Sequence, residues 1–420
     1  MVSPLSPREL ARHMVTVTGR PYLPLSFIAR LPFAMMLVGI LSLTTIERGS
    51  LALAGGLTAI AGIGTALMGP VFGALADRWG QRPVLLAGAF ISIAASTAFL
   101  TAVSGAAPDA LLWLSAAAVG ATMPQVAPLS RSRAAFVAQR LERESPVARG
   151  RALPLAMSYE SIVDESSYVL GPVAVGLLAA LIAPAAPLIA SMVLTATVVV
   201  AFALHPAAHL SAPRPVREPG ISALRASTWT AELSLLAVAM IAVGAVFGAT
   251  LTSVTAYLAA LGQTELSGLV YGVMSVGAII TALAVGLLPP TISLRTRWRW
   301  FACVAVAGTT VLALAPGTGA VLIGLFVAGC GVGAVLVALF SLGANAAHEQ
   351  RRNTVLVTLQ SMLTVGQALV TAITGVLVEQ SEAAAGFAVA VVAAVVLLGL
   401  ALAHGLIARE PKVTVSTNSA

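Results

Sequence analysis

Long apolar runs alternate along the chain with short polar or basic breaks. Twelve runs are long enough to cross a bilayer as helices, at approximately residues 22–46, 51–75, 83–104, 110–130, 153–182, 184–204, 230–260, 265–289, 299–316, 319–343, 354–378 and 384–407. The first run is not expected to be a removable signal peptide. It is too long, contains Arg30 and Pro32, and lacks a small-residue cleavage site after a short apolar core.

Composition agrees with this pattern. The 420 residues are 58% hydrophobic and 9% charged, with a mean hydropathy of +0.96. A soluble domain carries about 25% charged residues, so most of this surface is expected to face lipid. The net charge of +7 therefore implies no nucleic-acid partner, and its placement matters more than its size. With the N-terminus in the cytoplasm, 21 of the 23 Lys and Arg residues fall in inside segments. Arg30 lies within a span and Arg48 outside. Both termini are thus expected to be cytoplasmic. The basic segments, including Arg131, Arg133, Arg140, Arg143, Arg149 and Arg151, read as orientation signals. Arg far outnumbers Lys and Ala is abundant, which suggests a GC-rich bacterial genome and hence a bacterial plasma membrane. Cys303 and Cys330 fall within spans, and the five histidines sit in tails, loops or helix ends. No disulfide, metal site, cofactor or histidine proton relay is expected.

The chain repeats. Shifting the second run by 213 positions lays Leu53 on Leu266, Gly55 on Gly268, Gly64 on Gly277 and Gly73 on Gly286. The Pro-rich, basic stretch 206–228 reads as a cytoplasmic linker between two six-helix bundles, residues 1–205 and 229–420. Six helices per half make the repeats parallel, related by an axis along the membrane normal. The glycines of the second run, Gly55, Gly62, Gly64, Gly69 and Gly73, permit close helix approach.

The sequence GALADRWGQRPVL, Gly73 to Leu85, lies between the second and third spans. It resembles the signature of the major facilitator superfamily, with Gly73, Leu75, Asp77, Arg78, Gly80, Arg82 and Leu85 matching and Gln81 replacing the usual Arg. The resemblance covers essentially the whole chain and implies an all-α membrane fold of twelve helices in two six-helix bundles. It also implies that Gly73, Asp77, Arg78, Gly80 and Arg82 latch the two halves together in an outward-open state. In the second half Pro290 falls where Asp77 would repeat, so the latch is expected to be asymmetric. A second element, SSYVLGPVAVG with Gly171, Pro172 and Gly176, is similar to the antiporter signature of the fifth span. Pro172 removes a backbone bond there, and a helix bend is expected. A third element is missing: the Arg usual in the fourth span of exporters is Ala116 here.

The stretch MSYESIVDESSYVLGP, Met157 to Pro172, carries three acids at the start of a very apolar run. Each would cost about 2.5–3.5 kcal/mol near mid-bilayer, so Glu160, Asp164 and Glu165 must be paired, protonated or wet. Glu160 and Asp164 share one helix face, and Glu165 is turned about 100° away. Arg30 stands at the same depth as Glu160 and is placed to replace the charge missing at Ala116. One arginine cannot balance three acids. Asp164 or Glu165, with Asp164 preferred, is therefore expected to carry a proton or bind a cation. Gln125, Tyr257, Gln360 and Gln367 are candidates to face the same cavity, the last two sharing a helix face.

No phosphate-binding loop or nucleophile constellation is present, and no enzyme is expected. The sequence points to a monomeric secondary transporter exporting a small organic molecule in exchange for protons. Proton-coupled uptake of a metabolite is an alternative, as is a non-transporting receptor or scaffold on the same fold.

Overall fold

A computed structural model describes residues 7–105, 108–145, 148–211, 229–263, 266–289, 291–380 and 383–407. Among these residues there are helices and no strands. Eleven helical segments are long and apolar enough to cross a membrane. The ninth span, Leu294–Ala313, completes twelve rods. It opens with Arg295, Arg297 and Arg299, which lower its hydropathy below that of the others.

Most rods run uninterrupted: Leu51–Trp79, Gln81–Ser104, Ala152–Leu181, Ala231–Ala260, Ser267–Gly286, Thr318–Ala346, Arg352–Gln380 and Ala383–Ile407. The fifth span stays a single helix through Pro172. Two rods are broken. The first comprises Tyr22–Ile28 and Leu31–Arg48, parted at Ala29–Arg30 just before Pro32. The fourth comprises Asp109–Thr122 and Val126–Glu144, parted at Met123–Gln125 around Pro124. Proline explains both breaks, because it cannot donate to the preceding turn and its ring crowds the carbonyl four residues back. The sixth span, Ala186–Leu204, contains a π turn at Thr195–Val199.

The fourth rod corrects the sequence reading. Residues 131–144 were expected to begin a basic loop, but they continue the helix to Glu144. Arg131 and Arg133 are 2% and 0% exposed, so they are interior side chains rather than loop charges. The linker is described only as far as the 3₁₀ turn Pro206–Ser211, and residues 212–228 lie outside the described residues, as does Pro290.

The internal repeat is visible as repeated packing. Gly64 of the second span lies against the backbone of Ala117 and Ala121 in the fourth. Gly277, 213 positions later in the eighth span, lies in the same way against Phe326 and Cys330 of the tenth. Reciprocally, Gly120 meets Ala61, and Gly329 meets Met274. In each case the missing Cβ lets two backbones touch.

Two seams join the first six spans to the last six. In one, the second span meets the eleventh: Gly69 lies under Val357 and Ser361, and Gly73 under Asn353 and Thr354. In the other, the eighth span meets the fifth, with Gly286 under Leu155 and Ser158. Both contacts lie at the end of the bundle that carries the Trp79–Gln81 turn. Gly55, Gly62 and Gly69 are seven apart and so share a face, yet no atom lies within 4 Å of a Cβ placed at Gly62 or Gly55. The same holds at Gly272 and Gly268 on the face of Gly286, and at Gly176 on the face of Ser158. Each seam is therefore closed at one end and parts toward the other.

Candidate functional site

The two helix breaks and the fifth span enclose a cleft. Its lining includes Arg30, Phe33 and Ala34 from the first span, Pro124 to Pro128 from the fourth, Asp164, Ser167 and Tyr168 from the fifth, and Gln360 from the eleventh. The cleft is open at its mouth, and its enclosed volume is only about 30 Å³. Each break leaves carbonyls without a helical donor, and side chains answer them. Gln125 Nε2 donates to Met123 O at 3.2 Å, and Arg30 Nη1 donates to Ser26 O at 3.3 Å.

Beside the cleft lies a buried charge cluster. Arg30 pairs with Glu160 through Nη2 and with Asp164 Oδ1 through Nε at 2.8 Å. Arg131 Nη2 holds the other oxygen, Asp164 Oδ2, at 2.5 Å. Ser130 Oγ donates to Glu160 Oε1 at 2.9 Å. Two guanidiniums thus face two carboxylates, all of them at most 6% exposed. Such a cluster is sustained because every charge is paired, and Arg30, Arg131 and Glu160 make hydrogen bonds besides. Arg131 also crosses to the second half. Its Nη1 donates to Gln360 Oε1 at 2.8 Å, and its guanidinium lies 3.5 Å from the ring centre of Phe340 in the tenth span.

The structure brings some of the expected residues together and not others. Arg30 does meet Glu160, as the matched depths implied. Asp164 is not the acid left over: Arg30 and Arg131 grip it from two sides. Arg131, within the helix Val126–Glu144 and not in a loop, supplies the second cation. The carboxylate without an arginine is Glu165, which accepts from Ser275 Oγ of the eighth span at 3.1 Å. Ala116 sits in an apolar cluster with Met36, Ile40, Leu57 and Ala61, and Arg30 does not replace a charge there. Gln125 and Gln360 line the cleft, whereas Tyr257 bonds Thr318 Oγ1 at 3.1 Å and does not. Gln367 is not in the lining either; its backbone packs against Gly244 and Gly248 of the seventh span. Gly171 lets the fifth span rest against Ala34 of the first, while Gly176 meets nothing within 4 Å.

At the closed end, Asp77 accepts from the backbone N–H groups of Asn353 at 3.0 Å and Thr354 at 2.8 Å, and from the Thr354 hydroxyl. Those amides open the eleventh span, so the carboxylate caps a helix N-terminus belonging to the other half. Gly80, at φ +87°, makes the turn that follows. Arg78 and Arg82 are exposed. Gln81, the departure from the family pattern, is 1% exposed and makes the contacts instead. It accepts from Arg133 Nε at 2.7 Å and donates to Asn353 Oδ1 at 2.7 Å and Leu129 O at 3.2 Å. A second arginine at this position would face Arg133 across a buried gap. Gln139 reaches across as well, donating to Ala344 O at 3.0 Å and accepting from Arg352.

Comparison with known proteins agrees with this architecture. A family model described as Major Facilitator Superfamily matches residues 23–371, and the chain belongs to that family, whose members are transporters. A bacterial homologue of the iron transporter ferroportin, solved in an outward-facing state with soaked iron, superposes with a TM-score of 0.70 at 16% identity, covering 91% of this chain and 98% of that one. The human organic anion transporter MFSD10 (TETRAN) gives 0.66 at 17% identity, covering 93% and 99%. The E. coli fucose:proton symporter gives 0.65 at 14% identity, covering 91% and 98%. At such identities the likeness concerns the fold. No curated protein matches the chain significantly.

Proposed function

We propose that this member of the major facilitator superfamily is a monomeric secondary transporter that exports a small organic molecule in exchange for protons. It works by alternating access from a bacterial plasma membrane, with both termini in the cytoplasm. In that orientation the closed ends of both seams face the cytoplasm and the chain stands open to the outside. One observation carries the reading: two proline-broken helices meet at a cleft beside buried acids, on the boundary between the halves. Transporters bind substrate at such discontinuities, because irregular backbone within a membrane is tolerated only where it lines a cavity. A scaffold has no use for a charge cluster this costly.

The cleft also supports a substrate class. Phe33, Ala34, Val126 and Tyr168 offer apolar walls, and Gln125, Ser167 and Gln360 offer neutral hydrogen bonds. Its one carboxylate, Asp164, is already held by two arginines. A neutral, largely apolar molecule suits these walls better than a cation. The test is flux in reconstituted vesicles under an imposed pH gradient, screened against neutral, cationic and anionic compounds. Movement of neutral compounds against the proton flow, collapsing with a protonophore, is the expected result. Movement along with the protons would establish uptake instead, and flux indifferent to the gradient would remove proton coupling.

A further inference from the structure

Glu165 is 5% exposed, about 20 Å along the fifth span from Ala152 at 1.5 Å per residue. It lies seven residues beyond Ser158 and so on the same helix face, the face that meets the eighth span. Its partner Ser275 stands eleven residues before Gly286 on the corresponding face of that span. The Glu165–Ser275 bond is therefore the outermost tie described on this seam. Beyond it, Gly176, Gly272 and Gly268 meet nothing within 4 Å. Short of it, Gly286 is packed against Leu155 and Ser158. Glu165 marks the point where the closed part of the seam ends and the open part begins.

The surrounding charges do not neutralise it. On its own helix stand Glu160, Asp164 and Tyr168; Arg131 comes from the fourth span, Arg30 from the first and Tyr271 from the eighth. The tenth span, Thr318–Ala346, contains no charged residue. Arg30 and Arg131 are engaged by Glu160, Asp164 and Gln360. An ionised Glu165 would keep one neutral hydrogen bond and no guanidinium of its own, a poor match for a charge that is 5% exposed.

We propose that Glu165 is the proton-binding site of the transport cycle and that Ser275 positions it as the hinge point of the seam. This rests on the transport reading and names the group that would couple it. A proton from water on the open side adds to a Glu165 carboxylate oxygen. The neutral acid can then stay enclosed while the seam closes outside and opens inside, and the same proton leaves to water there. The empty carrier crosses only as the neutral acid; the loaded carrier crosses with the proton released, hydrogen-bond donors of the bound molecule meeting the carboxylate in its place, so that one proton enters per molecule exported.

Infrared difference spectroscopy of the purified chain in detergent tests this without any substrate. The carbonyl stretch of a protonated carboxylic acid should appear and titrate with pH in the wild type and in Asp164→Asn, and be absent from Glu165→Gln. Ser275→Ala removes a hydrogen bond to the ionised form and should raise the titration midpoint by about one unit. A band that survives Glu165→Gln, a band lost in Asp164→Asn, or an unmoved midpoint in Ser275→Ala would each overturn the assignment. If Glu165→Gln or Asp164→Asn fails to fold, the Ser275→Ala midpoint alone decides. Failure of the transport reading looks different: the band would titrate normally in a protein that moves nothing across vesicles.

Discussion

The two seams are built on one geometry and held by different forces. In the seam between the second and eleventh spans, Gly73 meets backbone atoms, and Asp77 then caps the facing helix with three hydrogen bonds. Gln81 and Arg133 extend that tie into a polar network at the bundle's end. In the seam between the fifth and eighth spans, Gly286 meets a serine side chain and no described carboxylate caps the facing helix. Arg297 there turns back on its own half, donating to the carbonyls of Val285, Leu288, Pro289 and Ile292. The charge on this side lies deeper: Glu165 faces the eighth span, while Glu160 and Asp164 pair with the first and fourth spans from other faces of the same helix. One seam thus carries its polarity at the rim and the other at mid-depth. The rim is suited to holding a state and the interior to sensing an occupant.

The largest effect is expected where the deep side is broken. Arg30→Ala strips a guanidinium from both Glu160 and Asp164 and should cost about 3–5 kcal/mol, the usual penalty for an uncompensated buried charge. Glu160→Ala should cost less, because Arg30 keeps Asp164. The double variant should be milder than the sum of the two. Thermal unfolding in detergent measures all three, and strictly additive losses would show that the pair is not energetically coupled.

Next comes the packing of the seams. A Cβ at Gly73 would stand 2.8 Å from the Thr354 Cα, and backbone cannot swing aside. Gly73→Ala should strain the closed end by about 1–3 kcal/mol and raise the accessibility of a cysteine introduced at Gln139. At Gly286 the obstruction is the Ser158 hydroxyl, which can rotate, and the Ser158 Cβ at 2.8 Å, which cannot, against three fixed backbone atoms at Gly73. Gly286→Ala should therefore open the same end less. Equal effects would mean that the two seams are sterically alike and differ only in charge.

Asp77→Asn probes the rim charge alone. It removes the anion at a helix N-terminus, worth about 0.3–1 kcal/mol, while keeping one oxygen to accept a bond. The closed population should fall by a few-fold, with folding unchanged, as read by distances between spin labels on the second and eleventh spans. An unchanged distance distribution would leave the second seam, not this one, in control of closure.

Much of this was legible before any coordinates. Twelve apolar runs gave twelve rods, the 213-residue shift reappears as the matched packing of Gly64 and Gly277, and equal depth brought Arg30 to Glu160. The misses share a cause. Hydropathy treats every arginine as a reason to leave the membrane, so Arg131 and Arg133 were placed in a loop. Their partners Asp164, Gln360, Gln81 and Phe340 come from other helices, up to 229 positions away in the chain for Gln360. Pro32 and Pro124 were visible, but a break that organises a cleft cannot be told from a tolerated proline without its neighbours. Gln81 was noted only as a departure from a pattern, because its value depends on Arg133 lying opposite.

The smallest effect serves as the boundary of the comparison. Arg143 and Glu349 also join the two halves at the closed end, but their nitrogen and oxygen are 3.8 Å apart and the side chains are 59% and 38% exposed. Water screens such a pair, and holding two long side chains in one geometry costs entropy, so it contributes about 0–1 kcal/mol. Arg143→Ala should leave stability and closure within measurement error at moderate salt, although it touches the same interface as Asp77. The spin-label distances that report on Asp77→Asn apply directly. A shift as large as that of Asp77→Asn would mean that closure depends on the total charge across the rim. No shift would locate the hold in one carboxylate set against one helix N-terminus.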